Sequence, residues 1–383
     1  MHQRWGRDRR LATVAGVKIA DIQLLSGTLR LDPPFDAAWD PVPRARFDAT
    51  LVKVVTDDGV VGYGSGDTMA GFEPYAELFL GQDPMAISRH VRVLETVSFH
   101  AGRYWPLEMA LWDVAGKVLG VPVATLFGGA ADAIPAYAST GRLLPAAHRA
   151  ETIVAARERG FRAAKIRLPA HDFAGGIATM RAVREAVGPA MTLMADLNQA
   201  WRMPGDLRPA LDPAGVRRFA AALAELDVFW LEEPLPLDDR AGLRSVREAT
   251  GIRIAGGEMV RTFPELLDLV ESGALDVYQP DVALAGGMLR ARTLAELVLA
   301  RNRLFTPHTW SNGLGLLANL QVTAGVGGGP YLEFPYDPPV WTPERRDFLL
   351  AAPLDIDPDG LLRVPSAPGL GAEVDEDRFG RKP

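Results

Sequence analysis

Between residues 191 and 333, short apolar runs end again and again on a side chain able to do chemistry. The runs are MTLMAD at Asp196, VFWLE at Glu232, IRIAGGE at Glu258, LDVYQPD at Asp281, LFTPH at His308 and YLE at Glu333. Asp196, Glu232 and Glu258 end three successive runs. Side by side they offer hard oxygen ligands suited to Mg2+ or Mn2+. One such acid alone would read as a solvated charge at a helix start; three in register point to a bound cation, because clustered like charges are costly without one. His308 follows a run whose predecessor ends at Asp281, and a carboxylate beside an imidazole fixes its tautomer and raises its basicity. Lys165 and Arg167 lie two apart in RAAKIRL and so share one side of a strand, facing the acids as counter-ions or as substrate contacts. Glu333 reads either as a protonated hydrogen-bond donor or as a structural acid. A divalent cation, a cationic side chain and a histidine base together suit removal of a proton α to a carboxylate, whose enolate must be neutralised by preorganised charge.

The elements that must position these residues follow from their spacing. From 232 to 258 to 281 to 308 the intervals are 26, 23 and 27 residues, about what one buried strand, one helix and two short loops occupy. This is the repeat of a βα barrel, in which all strand C-terminal ends converge on one face. PAYAST begins the alternation, a helix covers 145–159, RAAKIRL is strand two, and a helix follows over 175–187. The third unit is lengthened by 201–215. Eight strands are counted, the number that closes a barrel.

The fold class expected is therefore α/β, a (β/α)8-type TIM barrel over 131–345, preceded by an α+β domain over 15–130. In that first domain VKIADIQLL (17–25) and TLVKVVT (50–56) read as strands, and the second turns at Asp58-Gly59 into VVGYGSG, a hairpin signature. Gly62, Gly64 and Gly66 finish this hairpin and lack the spacing of a nucleotide loop. The stretch between the strands, about 25–47, is rich in Pro, Asp and Arg and reads as a long loop, a lid. PYAELFL, PMAISRHVRVLETV and PLEMALWDVAGKVLG read as helices, the last with Leu107, Ala110, Leu111, Val114 and Val118 on one face. The tail, 346–383, reads as an extended segment returning to the first domain.

Composition bounds the remaining possibilities. A net charge of -7 argues against nucleic acid, whose backbone needs concentrated Lys and Arg. The absence of cysteine excludes disulfides, thiol catalysis and thiolate metal sites. No run reaches the length of a membrane span, Arg9-Arg10 reads as part of a charged tail, and a cytoplasmic location is expected.

With these motifs in order, the chain resembles the enolase superfamily, specifically its mandelate racemase subgroup. EMALWDVAGKVLGVPVATLFGG resembles the end of that family's capping domain and KIR its Lys-x-Lys motif. D-x-N (Asp196, Asn198), EEP (Glu232) and GGE (Glu258) resemble its metal-ligand motifs, QPD and PHTW its Asp-His pair, and LEF its last Glu. The resemblance implies Mg2+ on Asp196, Glu232 and Glu258, Asn198 close to the substrate, a lid loop that chooses substrates, and a symmetric homo-oligomer. One position departs. Arg167 stands where the second Lys would be, and Arg is a poor general base, so a two-base racemase is not expected.

The activity expected is an acid-sugar dehydratase. His308, tuned by Asp281, takes the α-proton; the cation, Lys165 and a protonated Glu333 neutralise the enolate; the β-hydroxyl leaves as water to give a 2-keto-3-deoxy acid. Arg167 would bind substrate or bias the charge of Lys165; Arg30, Arg44 and Arg46 of the lid read singly as solvated loop charges and together as partners for a distal carboxylate. The alternatives are a cycloisomerase using the same enolate, an aldolase-like enzyme with Lys165 as Schiff-base nucleophile, and a non-catalytic binding barrel.

Overall fold

The computed structural model describes residues 16–66, 69–97, 102–201 and 206–381; the Arg9-Arg10 pair and part of the 201–215 stretch lie outside them. The chain opens with β1 (Ile19–Phe35), β2 (Arg44–Thr56) and β3 (Val61–Gly66) in an antiparallel sheet. The expected lid loop is mostly strand. The β1/β2 ladder runs from Ile19↔Thr56 to Arg30↔Arg46 and, after an irregularity, to Phe35↔Arg44, leaving only 36–43 as a tip. Leu25, Gly27, Leu29 and Leu31 alternate as a strand should. The prolines that follow are tolerated because this part of β1 has β2 on one side only, and an edge needs no donor there.

Helix α2 (Trp105–Leu119) packs on this sheet with α1 (Ile87–Val97) against α2, and a short α3 (Val123–Leu126) follows. PYAELFL makes only a 3-10 turn, at Glu73–Leu78. The glycines of β3 serve close packing: a Cβ at Gly62 or Gly64 would run into the Ala110 or Pro106 carbonyl of α2. Leu107, Ala110, Leu111 and Val114 are buried against the sheet.

Then the alternation begins: β4 (Ala133–Ser139), α4 (Ala146–Arg159), β5 (Ala163–Arg167), α5 (Phe173–Val187), β6 (Thr192–Asp196), α6 (Pro213–Glu225), β7 (Val228–Glu232), α7 (Arg240–Thr250), β8 (Arg253–Gly256), α8 (Phe263–Ser272), β9 (Val277–Tyr278), α9 (Gly287–Leu299), β10 (Leu304–Phe305), α10 (Gly313–Val326) and β11 (Leu332–Pro335). The eight parallel strands lie in the order β10-β9-β8-β7-β6-β5-β4-β11. Across the seam between β10 and β11, Thr309 N–H donates to Glu333 Oε2 (2.7 Å) and Thr309 Oγ1 to the Glu333 carbonyl (2.8 Å). Tyr137, Ala163, Met194, Trp230, Ala255 and Val277, from six strands, fill the interior with Tyr137 and Trp230 edge to face, so the barrel is packed rather than open.

After α11 (Pro343–Arg346), the tail makes two returns instead of the one expected. β12 (Leu361–Arg363) pairs antiparallel with the start of β4 on the barrel, and β13 (Gly380–Arg381) pairs with β1 at Leu25 and Ser26. Glu376 accepts from Lys53 Nζ and Tyr63 OH of the first sheet. No helix among the described residues is long and apolar enough to cross a membrane.

Candidate active site

Strand direction alone brings the chemistry together. Asp196 and Glu232 are the last residues of β6 and β7; Glu258, Asp281 and His308 stand two to three residues beyond β8, β9 and β10, in the turns at the same end. Lys165 and Arg167 come from β5 and Glu333 from β11. Asp196, Glu232, Asp281, Glu333 and Lys165 are fully buried, and Glu258, Arg167, Asn198 and His308 almost so.

Lys165 is the centre of the cluster. Its ammonium donates to Glu232 Oε1, sits 2.8 Å from Glu333 Oε1 and lies 3.3 Å from Asp196 Oδ2. Burial alone would strip its proton, yet Glu232 and Glu333 hold it charged, well above the ordinary lysine range. Burial pushes the Glu232 carboxyl up to about 8, and neighbouring Asp196 adds to the rise. Asp196 goes the other way: burial opposes its charge, but Arg167 and Lys165 outweigh it.

Each carboxylate expected to bind metal has an oxygen already oriented. Glu232 Oε2 accepts from Trp230 Nε1 (3.1 Å) and Gln279 Nε2 (2.7 Å). Glu258 Oε1 accepts from Trp201 Nε1 (2.8 Å). Asp196 Oδ1 accepts from the Asn198 amide (2.8 Å) and meets Arg167 Nη1 (2.8 Å), while its buried Oδ2 accepts no hydrogen bond among the described residues. Asn198 has a left-handed backbone (φ 47) that a non-glycine residue rarely adopts, and its side-chain oxygen accepts from Arg167.

His308 Nδ1 donates to Asp281 Oδ2 (2.9 Å), which leaves Nε2 facing inward, 3.6 Å from Glu258 Oε2. Burial would favour the neutral ring, but Glu258, Glu333 and Asp281 together push it up to about 10. Asp281 is itself held by the Ala283 amide (2.8 Å) and Asn319 Nδ2 (3.3 Å).

Glu333, which the sequence leaves open between a protonated donor and a structural acid, is surrounded by donors. Every hydrogen bond at its carboxyl is one that it accepts: from Lys165 and from Ser139 Oγ at Oε1, and from the Thr309 amide at Oε2. Trp310 Nε1 donates to Ser139 Oγ, so the hydroxyl proton of Ser139 is turned onto Glu333. Burial opposes the charge, but Lys165 and His308 bring the acid down to about 2. These donors and charges favour the carboxylate over the protonated donor.

A cavity of about 740 Å³ lies between the β1/β2 tip and the barrel mouth. Arg167, Asn198, Trp201 and His308 line it from the barrel, and Phe35, Trp39, Arg44 and Arg46 from the ribbon. The Arg167 guanidinium stacks on Trp39, 5.3 Å from the ring centre. Of the three lid arginines, Arg30 is not on the wall, Arg44 is paired with Asp40 (3.0 Å) and Arg46 with Asp48 (2.9 Å). The aromatic wall, Phe35, Trp39, Trp310 and Trp341, and the indole braces Trp201 and Trp230 escaped sequence reasoning. Trp310 in PHTW and Trp201, five residues after Asp196, were the available signals.

A two-domain enzyme of this architecture and site has known relatives. The chain belongs to the enolase superfamily: residues 19–128 match the mandelate racemase / muconate lactonizing enzyme N-terminal domain, and residues 148–378 the enolase C-terminal domain-like family. It is 28% identical over 373 residues to the D-galactarolactone cycloisomerase of Agrobacterium fabrum (91% of this chain, 94% of that one). It is 32% identical over 359 residues to the 3,6-anhydro-alpha-L-galactonate cycloisomerase of Streptomyces coelicolor (88% and 91%). Among solved structures it is similar to a mutant L-talarate/galactarate dehydratase liganded with Mg and L-glucarate, with a TM-score of 0.82, 26% identity and coverage of 99% of this chain and 95% of that one.

Proposed function

We propose that this enzyme is an acid-sugar dehydratase that removes the proton α to a carboxylate with a single base, His308. The observation that carries the reading is the asymmetry of the site. His308 faces the cavity with Nδ1 anchored on Asp281, whereas Lys165 is sealed beneath it among three carboxylates, and the second basic position is Arg167, bonded to Asp196 and stacked on Trp39. One base serves one face of the substrate. His308 Nε2 takes the α-proton, and the C–H electron pair moves into the carboxylate to form an enolate. The same Nε2–H then protonates the β-hydroxyl as the C–O bond breaks. Water leaves syn, and the enol tautomerises to a 2-keto-3-deoxy acid. Arg167 and Asn198 at the cavity wall orient the substrate carboxylate.

The donor set fits a hard divalent cation. Among the described residues no three acids or imidazoles are drawn together as a ready ligand shell, but Asp196 and Glu232 end adjacent strands with Glu258 two residues beyond the next, and the buried Oδ2 of Asp196 accepts no hydrogen bond among the described residues, with the Lys165 ammonium 3.3 Å away. Asp196, Glu232 and Glu258 would hold Mg2+, or Mn2+, and when bound the ion supplies Lewis-acid stabilisation of the charge that develops on the substrate carboxylate.

The relatives named as cycloisomerases support a second reading. The same base and enolate would act on a substrate whose β-oxygen belongs to a ring, opening it without loss of water. A screen of mono- and diacid sugars, lactones and anhydro sugars with Mg2+ decides between them by product mass. A keto acid lighter than its substrate by one water supports dehydration, an isomer of equal mass supports ring opening, and His308→Asn should abolish either. Absence of both products and of α-proton exchange in D2O overturns the enzymatic reading.

A further inference from the structure

Helix α9 begins where Asp281 ends its turn, and its first amides are satisfied from the other domain. The residue at its N-cap is Gly286, which has no side chain to offer, and both Gly286 and Gly287 have left-handed backbones (φ 83 and 77). The acceptor comes from α2: Glu108 Oε2 takes the Met288 amide (3.1 Å) and Oε1 the Leu289 amide (2.8 Å), while Trp112 Nε1, one turn along α2, donates to Oε1 (3.0 Å). Glu108 is fully buried. A Cβ at Gly287 would overlap its carboxylate, so glycine is what lets the two helices approach.

The turn upstream is short and tightly bonded. Leu284 N–H (3.0 Å) and Ala285 N–H (2.6 Å) both donate to the Asp281 carbonyl, and Ala283 N–H (2.8 Å) to its side chain. Only Gly286 separates this turn from α9, so a force that fixes the helix N-terminus fixes Asp281. A second contact, Arg290 Nε to Glu95 on α1 (2.7 Å), is a partly exposed side-chain pair that leaves the first amides of α9 to Glu108.

We propose that Glu108 is a positioning residue for the Asp281–His308 pair, acting across the domain boundary through the N-terminus of α9. A helix start left without acceptors frays, and fraying here moves the carboxylate that orients the base. The N-terminal domain thereby has a part in catalysis besides covering the barrel mouth. This rests on His308 being the base, so the test includes readouts that need no substrate.

Hydrogen exchange with mass spectrometry on Glu108→Gln and Trp112→Phe reads the amides of 281–289 directly. Gln keeps one acceptor but turns its NH2 toward a backbone N–H, so exchange should rise roughly tenfold; removing only the brace, as in Trp112→Phe, should raise it about threefold, with β7 unchanged. Unaltered exchange in both overturns the clamp. In a crystal structure of either variant the 2.9 Å His308–Asp281 contact should lengthen beyond hydrogen-bond range; an unchanged contact overturns the positioning role. With a substrate from the screen, kcat should fall at least about tenfold in Glu108→Gln while KM stays within about twofold. Glu95→Gln, which cuts the other tie on α9, should leave kcat within about twofold. Loss of Tm with intact kcat in Glu108→Gln would make the residue a structural cap and overturn the proposal.

Discussion

His308 Nδ1 lies 2.9 Å from Asp281 Oδ2, and the two residues come from turns beyond neighbouring strands, 27 positions apart. The pairing fixes which ring nitrogen faces the cavity. Asp281→Asn keeps the shape but offers an amide that can favour the wrong tautomer, so turnover should fall by about 10²- to 10⁴-fold. His308→Asn should abolish α-proton exchange. Both are read by NMR in D2O, and exchange at the wild-type rate in either variant would remove His308 from the chemistry.

Lys165 pairs with Glu232, Glu333 and Asp196 at once. Lys165→Met leaves buried acids uncompensated and should cost about 3–5 kcal/mol, measured as a fall in the urea midpoint. Mn2+ at millimolar concentration should restore much of the loss, because a ligand that binds only the folded state stabilises it by mass action. Destabilisation indifferent to added cation would argue against a metal on these carboxylates.

Arg167 occupies the position of a second base and cannot serve as one. The wild type should therefore exchange the α-proton of only one epimer of a substrate pair. Arg167→Lys should begin to exchange the other, more slowly, since the lysine must also free itself from Asp196. Exchange of both epimers by the wild type would contradict the one-base reading.

Burial pushes the Glu108 carboxyl up from its ordinary value of 4.5 to about 7. Between these values the folded state keeps a proton that the unfolded state has lost, so this group makes stability fall as pH rises from about 4.5 to 7 and then level off. The full effect is on the order of 3 kcal/mol. Glu108→Gln should flatten that part of the stability profile, measured by urea unfolding at each pH. An identical slope in the variant would show that Glu108 does not titrate there.

His308 is pushed up to about 10 chiefly by Glu258 and Glu333, against the effect of burial. A divalent cation on Glu258 cancels part of that field, so raising Mg2+ should move the acid limb of kcat/KM to lower pH. A limb independent of Mg2+ would place the titrating group elsewhere.

The sequence by itself determined the barrel and the candidate residues. Strand ends in a βα repeat must converge, so Glu232, Glu258, Asp281 and His308 could be assigned to one face from their intervals, and Asp196 from the apolar run that it ends. The tertiary structure decided what depends on partners far apart in the chain. Glu333 reads as an acid of either state until Lys165, Ser139 and Thr309 are seen donating to it. The 25–47 stretch looked like a loop because prolines and charges diluted its alternation, and only the pairing with β2 makes it a ribbon. Glu108 lay in a helix-forming motif as one more polar residue. Its carboxylate gained its role when packing set it against the amides of a helix 180 residues away, where burial makes an unpaired donor costly and local sequence carries no record of the partner.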